Sequence, residues 1–177
     1  LIDNEIYEEQ KLNSQTYYFD NSATTRQDDG VTEEMCRTVK FLYGNPSSLH
    51  HMGLEAERKL TSARKIIAET IGASEEEIYF TASGCEADNW AIKGIAFANK
   101  GKGNHIITTQ IEHHAVLNTC EWLEKQGFEV TYLPVDKYGI VNVKDVEEAI
   151  SENTILISIM TVNNEIGVIQ DMKKISE

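Results

Sequence analysis

The chain has 177 residues, enough for one domain with a real hydrophobic core. Apolar residues make up 41% and charged residues 25%, the balance of an ordinary soluble globular protein. A formal net charge of −13 argues against an electrostatic grip on nucleic acid or an anionic membrane, and no run approaches the roughly 18–20 apolar residues of a membrane span.

Residues 1–16 read as an N-terminal tail or arm, and 17–177 as the body of one domain. The first residues, Leu1 to Asn13, are acidic and polar and lack a signal-peptide core, which predicts the cytoplasm. Tyr17 to Phe19 is a short strand candidate, closed by Asp20-Asn21-Ser22. From Val31, apolar residues at Val31, Met35, Val39 and Leu42 give helical spacing. Tyr43 to Ser48 combines Gly, Asn and Pro and reads as a loop. A long helix follows from about Met52 to Ile71, with Gly72 placed to end it.

Strands and helices then alternate. Ile78–Thr81, His105–Thr109, Phe128–Leu133 and Thr154–Met160 read as strands. Glu86–Asn99, Ala115–Gln126 and Val143–Ile150 read as helices. The apolar run Thr154–Met160 looks like a strand buried on both faces. Met172 to Glu177 resembles the opening turns of another helix. This alternation predicts a three-layer α/β/α sandwich with a largely parallel sheet, whose strand C-terminal ends share one ligand-binding edge.

Four places can carry chemistry. In Thr81-Ala82-Ser83-Gly84-Cys85-Glu86 a strand gives way to a helix through small residues. Free N–H groups and the dipole at such a start hold anions, and Gly84 lets a phosphate approach closely. An ordinary capped turn, with Ser83 as N-cap and Glu86 three residues on, is equally a reading of these residues. Glu112-His113-His114 follows a strand; a histidine there can stack on a planar ring or move protons, bind a metal, or simply begin a helix at the surface. Adjacent histidines rarely point the same way, which weakens the metal option. Asn163-Asn164-Glu165-Ile166-Gly167 offers two amides to a ligand, or a turn. Asp20 to Thr25 and the Gly44–His50 loop read by themselves as polar loops.

Three cysteines, Cys36, Cys85 and Cys120, are too few and too scattered for a disulfide framework, and no CxxC pair marks a zinc site. A reducing compartment fits them.

Taken in order, these segments resemble the cysteine desulfurases of the NifS/IscS type, within the class V aminotransferase group. The matching text is YFDNSATT (18–25), GNPSSLH (44–50), ARKIIAETIGA (63–73), EIYFTASGCEADNWAIKG (77–94), HIITTQIEHHAVL (105–117), GFEVTYLPVD (127–136) and TILISIMTVNNEIGVIQD (154–171). The resemblance implies the large domain of a fold-type I pyridoxal 5'-phosphate-dependent transferase, present incompletely. It implies sulfur transfer from L-cysteine, leaving alanine, to a cysteine persulfide that feeds iron–sulfur cluster assembly or thiolation. By the same resemblance His113 stacks on the cofactor ring and assists proton transfer, and Asn164 meets the ring hydroxyl. Gly84 and Cys85 sit at the phosphate, and the SATT and GNPSSLH loops line the pocket mouth. A homodimer or a complementary C-terminal chain, and a sulfur-acceptor scaffold protein, are the implied partners; no metal, nucleic acid or membrane is.

Two departures matter. Cys85 stands where the family usually has threonine, a better donor to phosphate than a thiol; Arg26 stands where proline is common. The family's Schiff-base lysine, its pyridine-nitrogen aspartate, its substrate arginine and its persulfide cysteine are not matched within the 177 residues. The expectation is therefore the N-terminal portion of a desulfurase, inactive by itself, with an open apolar edge that favours association. The alternatives are a truncated non-catalytic paralogue serving as a binding or dimerisation module, and a selenocysteine lyase or another class V aminotransferase-like enzyme.

Overall fold

The computed structural model describes residues 17–177, so the predicted tail at 1–16 lies outside the described residues. The chain divides into two compact units, with the boundary between Thr61 and Ser62.

In the first unit, helix α1 (Asp29–Phe41) starts at Asp28, whose carboxylate accepts the Gly30 N–H at 2.9 Å. Asp29 in its first turn and Lys40 in its last both complement the helix dipole. Helix α2 (His51–Ile71) begins in this unit and runs on into the second. Glu34 accepts from Arg37 Nε at 2.8 Å and Nη2 at 2.9 Å, and pairs with Lys59 Nζ at 2.8 Å. These two cations hold its carboxyl down at about 2.

Gly72 ends α2 as expected. Its φ is +69°, the Ala73 N–H reaches Ala68 O at 2.9 Å, and the Gly72 N–H reaches Glu69 O at 3.4 Å. Gly127 (φ +89°) ends a later helix with the same pair of bonds, from Phe128 to Leu123 and from Gly127 to Glu124. A side chain strains this left-handed backbone, whereas glycine adopts it freely.

The second unit is an α/β sandwich. After a 3-10 turn at Glu75–Glu77 come helix α3 (Gly84–Asn99), strand β1 (His105–Thr109), helix α4 (His114–Glu124), strand β2 (Glu129–Leu133), helix α5 (Val143–Ala149), strand β3 (Thr154–Ile157) and the short helix α6 (Met172–Ser176). The three strands are parallel, in the order β2-β1-β3. Central β1 is buried at all five residues, because successive side chains face opposite layers. Ile106 packs with Ile92 and Ala96 of α3 and with Val116, Cys120 and Leu123 of α4. Ile107 packs with Leu133, Val141 and Val146 toward α5, with Ile175 of α6 against the same cluster. Helices thus cover both faces, the predicted three layers. His105 bridges the sheet, with Nδ1 2.8 Å from Thr154 Oγ1 and Nε2 2.9 Å from Thr131 Oγ1.

Three expectations need correction. Tyr17–Phe19 and Ile78–Thr81 are not strands; among the described residues neither has a ladder partner, and pairing is what makes an apolar run a strand. Thr154–Met160 is only half-buried, and its strand ends at Ile157. Ile155 and Leu156 pack in one cluster and Ile157 and Ile159 in the other, but β3 lies at the sheet edge with β1 on one side only. The strand buried on both faces is β1.

Candidate functional site

The site grows from the C-terminal end of the sheet. From β1 the chain crosses through α4 to β2 on one side, and then through α5 to β3 on the other. The carboxyl ends of β1 and β3 therefore flank the point where strand order reverses, the usual ligand position in open α/β sheets.

The start of α3 is one wall. Ser83 is its N-cap, and its hydroxyl accepts the Glu86 N–H at 3.3 Å. Glu86 Oε2 turns back to accept the Ala82 N–H at 2.7 Å. The expected capped turn is therefore present, but it leaves donors over. Among the described residues, the N–H groups of Gly84 and Cys85 have no acceptor. A Cβ built on Gly84 would meet nothing within 4 Å, so no neighbour within the fold demands glycine there. The result is two unpaired donors at the positive end of a 16-residue helix, beneath open space. The Glu86 carboxylate shares this helix end and opposes a second anion by simple repulsion.

His113 forms another wall. It is the N-cap of α4, and its Nδ1 accepts the Ala115 N–H at 3.0 Å. That bond commits Nδ1 as an acceptor, so the neutral ring carries its proton on Nε2. The ring is exposed. His114 lines the same cavity, its ring centroid 6.4 Å from that of His113 and its plane tilted by 60°. Among the described residues, no group of three His, Cys, Asp or Glu side chains is placed to hold a metal.

Cys85 and His113 line one cavity of about 410 Å³, completed by Asn89 and Lys93 of α3 and by Asn118 and Trp122 of α4. Small-molecule sites commonly occupy ~300–1,000 Å³. Lys93 Nζ lies 4.5 Å over the Trp122 ring, which places a cation at the cavity wall. A larger hollow of about 530 Å³ lies beside Tyr79, Trp90 and Ile95. It contains none of the candidate site residues, and its one titratable carboxylate, Glu77, is engaged with Ser74. Of the two, only the smaller cavity is lined by candidate site residues.

Asn164 does not line that cavity. Its side chain is exposed, and Nδ2 donates to Glu165 Oε1 at 3.2 Å. The neighbouring Asn163 is buried and holds the turn. Its Oδ1 accepts the N–H groups of Glu165 (2.9 Å) and Ile166 (3.0 Å), and its Nδ2 donates to Ile111 O at 2.9 Å. Glu112 is buried too, with Oε1 accepting from Thr109 Oγ1 at 2.8 Å and from the Met160 N–H at 2.9 Å. Burial pushes its carboxyl upward, against the pull of those two donors. Sequence reasoning offered Asn163 as one of two ligand amides or as part of a turn, of which the structure shows the turn, and gave Glu112 no role of its own. An Asn two residues before a turn N–H is a signal for an Asx turn, but nothing in the sequence separates Glu112 from a surface acid.

The Asp20–Thr25 and Gly44–His50 loops belong to the first unit. The first is folded on itself, with Thr24 and Ala23 N–H groups returning to Asp20 O and a Tyr18–Thr24 hydroxyl contact. The second is clamped to the start of α2. A Cβ on Gly53 would lie 2.2 Å from Ser48 O, and one on Gly44 2.3 Å from Met52 O.

Comparison with known proteins places the chain in a family. The aminotransferase class-V family model matches residues 17–177. A cysteine desulfurase IscS of Methanosarcina thermophila is 59% identical over 160 residues, covering 90% of this chain and 40% of its own length. A cysteine desulfurase IscS of Clostridium botulinum (strain Hall) is 52% identical over 166 residues, covering 94% and 42%. Among solved structures, a NifS-like protein superposes with a TM-score of 0.88 at 44% identity, covering 92% of this chain and 44% of the other. A structure described as SspA in complex with cysteine gives 0.85 at 45% identity, covering 90% and 46%. The chain thus spans about two fifths of the length of the curated relatives it matches.

Proposed function

Because the chain belongs to the aminotransferase class-V family, we propose that it forms the N-terminal part of a pyridoxal 5'-phosphate-dependent cysteine desulfurase, whose substrate is L-cysteine and whose products are L-alanine and a sulfur atom passed to an acceptor. The observation that carries this reading is the pairing of unpaired Gly84 and Cys85 N–H groups with the exposed His113 ring, with Cys85 and His113 on one cavity. The names of the relatives support the same activity. Since those relatives are more than twice as long, the activity is proposed for the intact gene product.

The residues present fit the cofactor in two parts. The N–H groups of Gly84 and Cys85, under the open space at Gly84, suit a phosphate dianion. The exposed His113 ring suits the face of a planar heteroaromatic. Asn164 is the residue we assign to the ring oxygen, its amide being exposed. When bound, the cofactor supplies an electron sink for a carbanion on the amino acid. The protein's own task is to hold it there. His113 also has a defined proton position: with Nδ1 tied to the Ala115 N–H, it donates from Nε2, and taking up a second proton at Nδ1 breaks the cap. The Cys85 thiol is a weaker donor than a hydroxyl, so the backbone N–H groups carry most of the phosphate grip.

The reading includes a homodimer or a complementary C-terminal segment, supported by the apolar side chains that α3 leaves exposed at Trp90, Ile95 and Phe97. It includes a sulfur-acceptor scaffold protein as the onward partner, and a cytoplasmic setting, supported by three free cysteines. No helix of the described residues is long and apolar enough to cross a membrane.

The test is direct. The intact gene product, supplied with pyridoxal 5'-phosphate, L-cysteine and a thiol reductant, should release alanine and sulfide in equal amounts, and His113→Ala should depress both. Alanine from L-selenocysteine but none from L-cysteine would overturn the assignment in favour of a lyase.

A further inference from the structure

The β1–β3 ladder fastens the two strands as far as Ile107 and Ile157, and the Ser158 N–H still reaches Ile107 O at 2.8 Å. Beyond it, two further bonds join loops rather than strands. Glu112 Oε1 takes the Met160 N–H at 2.9 Å, and Asn163 Nδ2 donates to Ile111 O at 2.9 Å. Both side chains are buried, at 7% and 6% exposure. Each also has a local partner on its own side: Thr109 for Glu112, and the Glu165 and Ile166 N–H groups for Asn163. Asn163 thus shapes the turn that presents Asn164 while gripping the loop two residues before His113. Glu112, next to His113, grips the segment that leads to Asn164. One side chain reaches across from each loop, both bonds are donated from the Met160–Asn163 segment, and together they close a small clamp at the point where strand order reverses.

We propose that Glu112 and Asn163 are positioning residues that lock the His113 loop to the Asn164 turn, so that the two contacts assigned to the cofactor ring are held as one unit. The proposal rests on the cofactor reading given above. A buried carboxylate is expensive to desolvate, and the sheet has its own ladder. A bond placed past the end of the ladder, beside His113, serves the loop it fixes.

The experiment uses the intact gene product, at a temperature where every variant is folded by circular dichroism. Pyridoxal 5'-phosphate affinity and the visible absorption band of the bound cofactor are measured for wild type, His113→Ala, Glu112→Ala, Glu112→Gln and Asn163→Asp. Asn163→Asp keeps the Oδ1 acceptor, loses the Nδ2 donor to Ile111 O and Met160 Sδ, and sets a carboxylate oxygen against the Ile111 carbonyl. We expect Glu112→Ala and Asn163→Asp each to weaken cofactor binding roughly tenfold, about the value of one good hydrogen bond. Both should move the band in the same direction as His113→Ala. Glu112→Gln, which keeps an acceptor for Met160, should restore most of both, and Glu112→Ala should add little to His113→Ala. If His113→Ala changes affinity and band while Glu112→Ala and Asn163→Asp change only melting temperature, the clamp proposal is wrong. If His113→Ala itself changes neither, the cofactor reading fails, and the clamp fails with it.

Discussion

The carboxylate of Glu112 accepts the backbone N–H of Met160 at 2.9 Å across 48 residues of chain. Burial, rather than this bond, makes the acid measurable by pH. Burial raises its carboxyl above the ordinary value of 4.5, and the Asp88 carboxylate adds to the rise, while the Met160 and Thr109 donors oppose it. Cys120 is the other titratable group it influences. A group whose folded pKa is raised contributes stability below its unfolded pKa and loses it as pH climbs to the folded value. Against Glu112→Gln, the wild-type protein should therefore be relatively most stable near pH 4 and lose ground as pH rises above about 4.5. Urea unfolding of both proteins between about pH 4 and 8 reads this; a difference constant with pH would refute the raised carboxyl.

Gly84→Ala should separate binding from folding. Its Cβ meets nothing, so stability should hold or rise slightly, as alanine in a helix is favoured over glycine. The methyl group does occupy the space assigned to the phosphate, so cofactor affinity should fall. Gly103→Ala is the opposite control, since its Cβ would lie 2.3 Å from Asn153 O. Thermal melts with and without pyridoxal 5'-phosphate distinguish the two.

Cys85→Thr should tighten cofactor binding. A hydroxyl donor to a charged acceptor is worth roughly 1.5–3 kcal/mol, or about ten- to a hundredfold in affinity, and a thiol supplies little of it. A titration in which the threonine variant binds no better would show that the backbone N–H groups alone hold the phosphate.

Much of this was legible in the residues. The helix start at Ser83, the glycine stop at Gly72, the parallel order and the three layers all follow from local rules that the structure obeys. Tyr17–Phe19 and Ile78–Thr81 misled because an apolar run carries no information about whether a neighbour exists to pair with it. Thr154–Met160 misled because composition reports which faces are apolar, not whether the strand lies at an edge. Asn164 drew attention while Asn163 does the structural work, since two adjacent amides look alike until one is buried. Glu112 was invisible as a clamp because its partner is a backbone N–H 48 residues away.

Cys120 should be chemically silent. It is fully buried on the sheet-facing side of α4, and burial pushes its thiol up to about 11. Iodoacetamide at neutral pH should label it only after denaturation. Native labelling of Cys120 at the rate of Cys36, which is exposed, would show that this core opens.

The same reagent gives the most direct test of the central claim, that Gly84, Cys85 and His113 form the cofactor's seat. Cys36 and Cys85 are both exposed, and only Cys85 lies at the proposed site. Alkylation of each is followed by peptide mass spectrometry in the intact gene product, with and without pyridoxal 5'-phosphate. The account predicts that the cofactor slows alkylation of Cys85 and leaves Cys36 unchanged, with Gly84→Ala abolishing the protection. Equal rates at Cys85 with and without bound cofactor would contradict it.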